Sequence, residues 1–213
     1  MSETTSRNQR SDESRHRILK ATLELAAEKG YEGTTIAQVS KRSGLPSGSV
    51  YWHFENKDKL FASLLEHSVE AWERRQDWQF RPGELPQDRV RAAVAVRAQE
   101  ATEDTSFWRL GLLLTLERRL SGTAAREMFL QIRSTRLATM IDWWNQVLPE
   151  QVQDRDPLLA RRLSQFTMAA ADGMYIAISA GDDWDTAALA DMLTDSLTHL
   201  VEAAGASLAE LPS

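Results

Sequence analysis

A tight bend at Gly44-Leu45-Pro46 constrains the fold of this chain more than any other feature. Before the bend, apolar spacing from Ile36 onward predicts a short helix, and Thr35 with Gln38 forms a reciprocal capping box at its start. After the bend, Ser47–Phe54 leaves room for a helix of only about two turns before the next polar segment. Two short helices joined by a glycine-containing turn predict a helix-turn-helix.

Helical periodicity continues through the rest of the chain, without a persistent strand-like alternation. A first helix is predicted from about Ser14 to Lys29, with Gly30 placed to end it, and a fourth from about Asn56. Beyond the Pro- and Gly-rich breaker at Arg81–Pro86, five more helices are predicted, at about 87–102, 107–120, 123–147, 157–180 and 185–204. The predicted fold class is therefore all-α with about nine helices, and its first three form an N-terminal helix-turn-helix domain.

Charge is distributed unevenly along the 213 residues, whose net charge is −6. Residues 1–62 carry 10 Lys/Arg against 8 Asp/Glu, and the remainder carries 15 against 23. Phosphate groups repel an acidic surface but not a mildly basic one. Any contact with nucleic acid is therefore expected in the N-terminal segment.

The composition argues against several other classes of protein. There is no cysteine, which excludes disulfides, thiol catalysis and cysteine-ligated metals. The four histidines show no paired ligand spacing, and phosphate-loop, dinucleotide and Gly-x-Ser-x-Gly motifs are absent. We therefore expect no catalytic residues, no metal and no cofactor, and an enzyme is the weaker alternative.

The location of the protein is also predicted from its apolar segments. Residues 1–14 are polar and lack the apolar core of a signal peptide, so they are predicted to form a disordered tail. The most apolar stretch, Phe107–Leu116, is much shorter than the roughly 20 residues that span a bilayer. A cytoplasmic protein without membrane contact is expected.

Three segments together resemble the DNA-binding head of TetR/AcrR transcriptional repressors. These segments are Gly30-Tyr31-Glu32-Gly33-Thr34-Thr35, Gly44-Leu45-Pro46-Ser47-Gly48-Ser49-Val50-Tyr51-Trp52-His53-Phe54 and Asn56-Lys57-Asp58-Lys59-Leu60. The resemblance covers about residues 15–65. It implies a DNA-binding domain over residues 15–62, and a helical ligand-binding and dimerisation domain over residues 63–213.

The exposed positions of the third helix suit contact with DNA. Small hydroxyl side chains and a glycine allow close approach to phosphates and base edges, and a lysine at a helix start adds positive charge. In the family, the matching positions contact operator DNA. The predicted DNA-binding residues are Thr35, Ala37, Ser47, Gly48, Ser49, Tyr51, Trp52, His53 and Lys57. Pro46 departs from the serine of many members, and Ala37 from the polar reader of some, so the operator sequence is not carried over.

The body is rich in aromatic residues, with seven tryptophans in the chain. In the family, the body helices enclose a small-molecule pocket, and aromatic walls with a few polar groups suit a hydrophobic effector. The predicted ligand-binding residues are Trp72, Trp108, Phe129, Arg136, Met140, Trp143, Trp144, Phe166, Asp172 and Tyr175. For each of these residues, ordinary core packing is an open alternative. Asp172 is expected to be paired, solvated in a cavity or matched by a cationic ligand. Arg136 is a possible partner for Asp172 or for an anionic ligand.

The last two helices carry small residues, such as Ala169 and Gly173, and an apolar stripe through Leu193 and Leu197. In the family, these helices form a four-helix bundle with a second copy of the chain, so a homodimer is expected, with core packing within one chain as the alternative. The resulting prediction is a repressor that binds a palindromic operator as a homodimer and is released by a small hydrophobic effector. An activator and a dimeric scaffold without a sensing role stay open.

Overall fold

The structure is a computed structural model that describes residues 2–73, 88–95, 106–120 and 122–209. Regular structure within these residues is helical, without a strand, as the all-α prediction requires. The helices are α1 (Ser2–Gly33), α2 (Ile36–Ser43), α3 (Ser47–Phe54), α4 (Lys57–Glu73), α5 (residues 88–95), α6 (Ser106–Leu116), α7 (Ala124–Val147), α8 (Glu150–Arg155), α9 (Leu159–Ala180) and α10 (Thr186–Ala209). A short 3-10 turn, Arg118–Leu120, follows α6.

Two parts of the predicted helix assignment are corrected by the structure. α1 begins at Ser2, so the segment predicted as a disordered tail over residues 1–14 is mostly helical. That segment contains neither glycine nor proline, and nothing in its sequence stops the helix from extending toward the N-terminus. The predicted polar loop between Pro149 and Pro157 contains the short helix α8, which buries Val152.

Contacts along the chain define two compact units. The first consists of Met1–Arg75 and Ser106–Ile132, and the second of Gln76–Thr105 and Arg133–Ser213. This division differs from the predicted boundary near residue 62, because α6 packs on α1 and α4 and so joins the N-terminal helices. Periodicity identifies each helix but does not show which distant helix it packs against.

In the first unit, α1 to α4 share an apolar core. Its most buried side chains are Ile18, Leu19, Leu25, Val39, Val50, Phe54, Leu60, Phe61, Leu64 and Leu65. Arg17 Nη2 donates to the carbonyl oxygen of Ser43 at 2.7 Å, which joins α1 to the last turn of α2. Gly44 follows with a φ of 68°, the left-handed conformation that glycine adopts without strain, and this ends α2.

In the first unit, the contact between α6 and α7 is built around three aromatic rings. Phe107 and Trp108 on α6 and Phe129 on α7 are all buried. Their ring centroids lie 4.8, 5.9 and 5.8 Å apart in edge-to-face arrangements. Phe129 also lies directly against the backbone at Gly111. The absence of a side chain at Gly111 therefore sets how closely α6 and α7 approach.

The second unit has its own core, centred on Trp144. The other buried members are Val90, Val94, Val147, Leu148, Val152, Ala160, Leu163, Ala190, Leu193 and Leu197. Leu193 and Leu197 of the predicted apolar stripe on α10 therefore pack within the chain, whereas Leu200 on the same helix is 44% exposed. None of the described helices is long and apolar enough to span a bilayer.

Candidate DNA-binding surface

The turn between α2 and α3 fixes the orientation of α3. The capping box predicted for α2 is present, because Thr35 Oγ1 accepts from Gln38 N at 3.3 Å and Thr35 N donates to Gln38 Oε1 at 3.0 Å. Ser40 Oγ donates to the carbonyl oxygen of Leu45 at 2.6 Å, which ties the bend to α2. Thr35 and Ala37 are themselves exposed, as a contact role requires.

α3 divides sharply into a buried face and an exposed face. Val50 is fully buried and Phe54 nearly so, whereas Tyr51 is 53% and Trp52 74% exposed. Gly48 lies one helical turn before Trp52 on the exposed face, while Ser47 and Ser49 are partly exposed at its edges. A bulky indole that contributes this little to the core is available to contact another molecule.

The start of α3 has no side-chain cap. Pro46 occupies the capping position, and the backbone carbonyl oxygen of Pro46 accepts from Ser49 N at 2.9 Å. The backbone therefore caps this helix, and the Ser47 side chain does not. The hydroxyl-bearing start of α3 therefore presents a positive helix end without a carboxylate cap.

Lys57 lies at the start of α4 and packs on Tyr31. Its Nζ is 4.3 Å from the centroid of the Tyr31 ring and donates to the carbonyl oxygen of Glu32 at 3.4 Å. Burial lowers the pKa of Lys57 from its ordinary value, and the negative charge of Glu32 opposes that change. Burial first, and then Asp58 and Glu32, raise the pKa of Tyr31 to about 12, so Tyr31 stays neutral beside the lysine.

His53 lies in the last turn of α3, in contact with the Trp52 ring and within the electrostatic influence of Arg15. Its ring contacts Trp52 with centroids 4.6 Å apart, and the Arg15 guanidinium lies 5.6 Å from the centroid of Phe54. Burial, followed by the positive charge of Arg15, lowers the pKa of His53 below 6.5, against the opposing charge of Asp12. The surroundings of His53 in the free protein therefore favour the neutral imidazole over the imidazolium.

We expect DNA binding to tighten as the pH falls because of His53. A phosphate beside the ring would favour the imidazolium, so binding would take up a proton, with an effect of at most about tenfold per pH unit. Stability of the free protein would change in the opposite direction: the unfolded chain protonates first, so stability falls as the pH drops below the unfolded pKa. Fluorescence anisotropy between pH 8 and pH 5.5 would measure the affinity, with His53→Gln as the control that keeps the other three histidines. Equal slopes for both proteins would remove His53 from the contact surface.

The predicted ligand residues fall in both units. Trp108 and Phe129 lie in the aromatic cluster of the first unit, and Trp72 belongs to α4, with its side chain outside the described residues. The second unit holds Arg136, Met140, Trp143, Trp144, Phe166, Asp172 and Tyr175. Trp144 and Tyr175 are buried, and Trp143 packs on Trp144 with ring centroids 4.9 Å apart. Phe166 is exposed on α9, so these aromatics do not share one environment.

Asp172 forms a bidentate ion pair with Arg133. The two bonds measure 2.9 Å and 2.6 Å, and the two side chains are only 24% and 23% exposed. The partner considered from the sequence, Arg136, lies one helical turn further along α7. Arg133 and Arg136 are three residues apart and so lie on the same side of α7. The sequence pattern therefore does not identify which of them pairs with Asp172, and Arg133 was missed.

Replacing Asp172 by alanine is expected to destabilise the second unit by about 1 to 3 kcal/mol, because the largely buried Arg133 guanidinium loses a bidentate acceptor. Arg162→Ala is the matched control, since Arg162 pairs with Asp156 at a more exposed place on α9, and its loss should cost less than about 1 kcal/mol. Urea denaturation of each variant would give the free energies of unfolding. Equal losses for the two variants would contradict the structural weight given to the Arg133–Asp172 pair.

Comparison with known proteins agrees with this architecture. The family model described as "Bacterial regulatory proteins, tetR family" matches residues 18–64. The regulator AcrR of Shigella flexneri is 35% identical over 60 residues, an alignment that covers only 28% of each chain. The regulator BetI of Burkholderia thailandensis is 24% identical over 196 residues, which cover 88% of this chain and 93% of that one.

Two solved structures are similar in fold over most of the chain, at low identity. The Bacillus subtilis regulator FadR, in complex with stearoyl-CoA, has a TM-score of 0.66 at 20% identity and covers 85% of this chain and 96% of its own. AibR, in complex with isovaleryl coenzyme A and operator DNA, has a TM-score of 0.62 at 16% identity with the same coverage.

The capped α2, the bend at Gly44 and the exposed face of α3 define a helix-turn-helix DNA-binding protein. Residues 18–64 match the TetR family of bacterial regulatory proteins, and the chain is similar to transcriptional regulators along much of its length. Its relatives are regulators and not enzymes, in agreement with the interpretation of the sequence.

Proposed function

We propose that this regulator is a repressor that binds a palindromic operator as a homodimer and is released by a small hydrophobic effector. The observation that carries the proposal is the exposed face of α3, where Tyr51 and Trp52 are exposed near Ser47 and Gly48 while Val50 and Phe54 are buried. Such an exposed helix face is available to contact a DNA groove or the surface of another molecule. The predicted residues Thr35, Ala37, Ser49, His53 and Lys57 complete the proposed contact set.

Selection of duplexes from a random DNA pool by the purified protein tests the DNA-binding part. The proposal expects an inverted repeat whose half-sites are centred about one helical turn, or a multiple of it, apart. Selection of an asymmetric site would contradict the homodimer, and the absence of enrichment at moderate salt would contradict sequence-specific binding.

The proposed dimer uses the outer faces of α9 and α10. Phe166 and Ile176 on α9, and Met192 and Leu200 on α10, are between 44% and 65% exposed. Gly173 and Ala169 are exposed between the two α9 residues, at the spacing of one helix face. On α10, Met192 and Leu200 are exposed while Leu193 and Leu197 are buried, so a partner could cover the exposed side chains without disturbing the core.

We expect Ile176→Asp together with Met192→Asp to convert a dimer into a monomer, because each change places a carboxylate within the proposed apolar interface. Sedimentation velocity would measure the association state, and circular dichroism would check that the helices persist. Leu116→Asp is the control, since Leu116 is 70% exposed on α6 and lies outside the proposed interface. An undisturbed dimer in the double variant would place the interface elsewhere.

The proposed effector binds the helical body. The two structural neighbours are complexes with acyl-CoA thioesters, which are therefore the first class of compound to test. Stearoyl-CoA and isovaleryl-CoA would be titrated against the intrinsic fluorescence of the seven tryptophans, and then against the DNA complex. A saturable change with loss of DNA binding supports a ligand-released repressor. Tighter DNA binding would instead support an activator or a co-repressed protein.

The proposed location is the cytoplasm, where the operator DNA of a bacterial regulator is found. Fractionation of cells that express the full chain would test this proposal. Recovery with the membrane fraction after a high-salt wash would contradict it.

A further inference from the structure

Asp58 lies in the first turn of α4, yet its carboxylate is bound to a different helix. Its Oδ2 accepts from Ala124 N at 2.7 Å, and its Oδ1 accepts from Ala125 N at 2.9 Å. Ala124 and Ala125 are the first two residues of α7. One carboxylate therefore stands at the positive N-terminal ends of two helices, its own and α7, which are far apart in sequence.

The beginning of α7 depends on these two bonds. The first four amide groups of a helix have no acceptor within the helix. Thr123 serves two of them: its Oγ1 accepts from Arg126 N at 3.3 Å, and its carbonyl oxygen accepts from Glu127 N at 3.0 Å. Asp58 serves the other two. Ala125 is fully buried, so water could not take the place of the carboxylate there without a rearrangement.

The other side of Asp58 adjoins the proposed DNA-binding surface. Lys57 precedes it in the chain, and Asn56 Oδ1 accepts from Lys59 N at 2.9 Å to cap α4. Only Glu55 and Asn56 separate α4 from α3, and Glu55 has a φ of 65°, which makes a sharp turn between the two helices. Because the connection is this short, a contact that holds the start of α4 in position also restricts the position of the end of α3.

We propose that Asp58 is a positioning residue for DNA binding, whose bidentate cap on α7 holds the start of α4, and through it α3, in the DNA-binding orientation. The proposal rests on the proposed function, since it assumes that α3 contacts DNA. The state of the first turn of α7 and the affinity for DNA are then coupled through one carboxylate, and the coupling is reciprocal. α7 continues to Val147, and its residues from Arg133 onward belong to the second unit.

Asp58→Asn tests the proposal against Thr123→Ala. The amide keeps the size of the carboxylate but offers only one acceptor oxygen, so its NH2 group would face one of the two N–H donors. Thr123→Ala removes the other cap from the same end of α7 and leaves α4 untouched. Well below both melting temperatures, we expect Asp58→Asn to weaken binding of the selected duplex by about tenfold and Thr123→Ala by less than about twofold. Asp58→Glu, which retains both oxygens, should recover part of the affinity.

Hydrogen exchange provides a second readout. Saturating DNA should slow exchange at the amides of Ala124 and Ala125 in the original chain, and this response should be lost in Asp58→Asn. Equal losses of affinity in Asp58→Asn and Thr123→Ala, or unchanged exchange at the start of α7 on DNA binding, would contradict the proposal. Asp58 would then only cap α7. Failure of the unaltered chain to select any duplex would overturn the proposed function as well, which distinguishes the two failures.

Discussion

Gly111→Ala is expected to destabilise the first unit strongly. A Cβ at this position would lie 1.9, 2.2 and 2.3 Å from Cε2, Cδ2 and Cζ of the Phe129 ring. The ring cannot swing away easily, because Phe107 and Trp108 pack against it. We expect a loss of about 3 kcal/mol in the free energy of unfolding, at the upper end of ordinary overpacking.

Gly205→Ala is the control for this prediction. Gly205 lies in α10 with nothing within 4 Å of an added Cβ, so alanine should leave stability unchanged or raise it by up to about 1 kcal/mol. The double variant Gly111→Ala with Phe129→Ala should lose less than the sum of the two single losses, because removal of the ring makes room for the methyl group. Thermal and urea unfolding would give the stability of the original chain, of Gly111→Ala, Gly205→Ala and Phe129→Ala, and of the double variant. Strict additivity would contradict the close approach of α6 and α7.

Ser47→Asp is expected to abolish most DNA binding without harming the fold. Ser47 is the first residue of α3, and no side chain caps that helix, so a carboxylate there should be neutral or slightly stabilising by about 0.3 to 1 kcal/mol. Next to a DNA phosphate, the same charge at about 5 Å would cost roughly 3 kcal/mol at an effective dielectric constant near 20. That energy corresponds to a loss of affinity of about a hundredfold.

Gln151→Glu is the matched control for the charge. It adds the same charge to an exposed position in the first turn of α8, in the second unit and outside the proposed DNA-binding surface. Its affinity for the selected duplex should stay within about twofold of the original, as is usual for a charge outside the contact surface. Anisotropy and melting temperatures would be measured on both variants. A Ser47→Asp protein that binds DNA normally would mean that the start of α3 does not face phosphate.

Local signals made the DNA-binding helices predictable from sequence. The capping box at Thr35, the bend at Gly44 and the apolar positions Val50 and Phe54 each act within one or two turns of the chain, and all are present in the structure. The interruption predicted at Gly30 is also present, with a φ of 68° inside α1. Local structure of this kind follows from propensity and capping chemistry alone.

Contacts between distant segments could not be predicted in the same way. The Asp58 cap joins residues 66 and 67 positions apart, and Phe129 meets Gly111 across two helices. No periodic pattern in either helix specifies its partner. The first unit therefore includes α6 and the start of α7, which the sequence placed in the body.

The candidate ligand residues illustrate the same limit. Apolar periodicity marks Trp108, Phe129 and Trp144 as inward-facing, and all three are buried. Burial is the common outcome of core packing and of a pocket wall, so the pattern does not distinguish them. Asp172 pairs with Arg133, one helical turn before the expected Arg136 on α7, and the sequence pattern does not distinguish these two positions.

The spacing of the two half-sites tests the account most directly, because it asks whether two α3 helices are held in fixed register on DNA. Inserting about five base pairs, half a helical turn, between the half-sites of the selected duplex would turn them onto opposite faces of the DNA. The account predicts that affinity then falls to that of a single half-site, while an insertion of about ten base pairs gives a different and smaller loss. Equal affinity for the original and the half-turn duplex would contradict a dimer that reads two consecutive grooves.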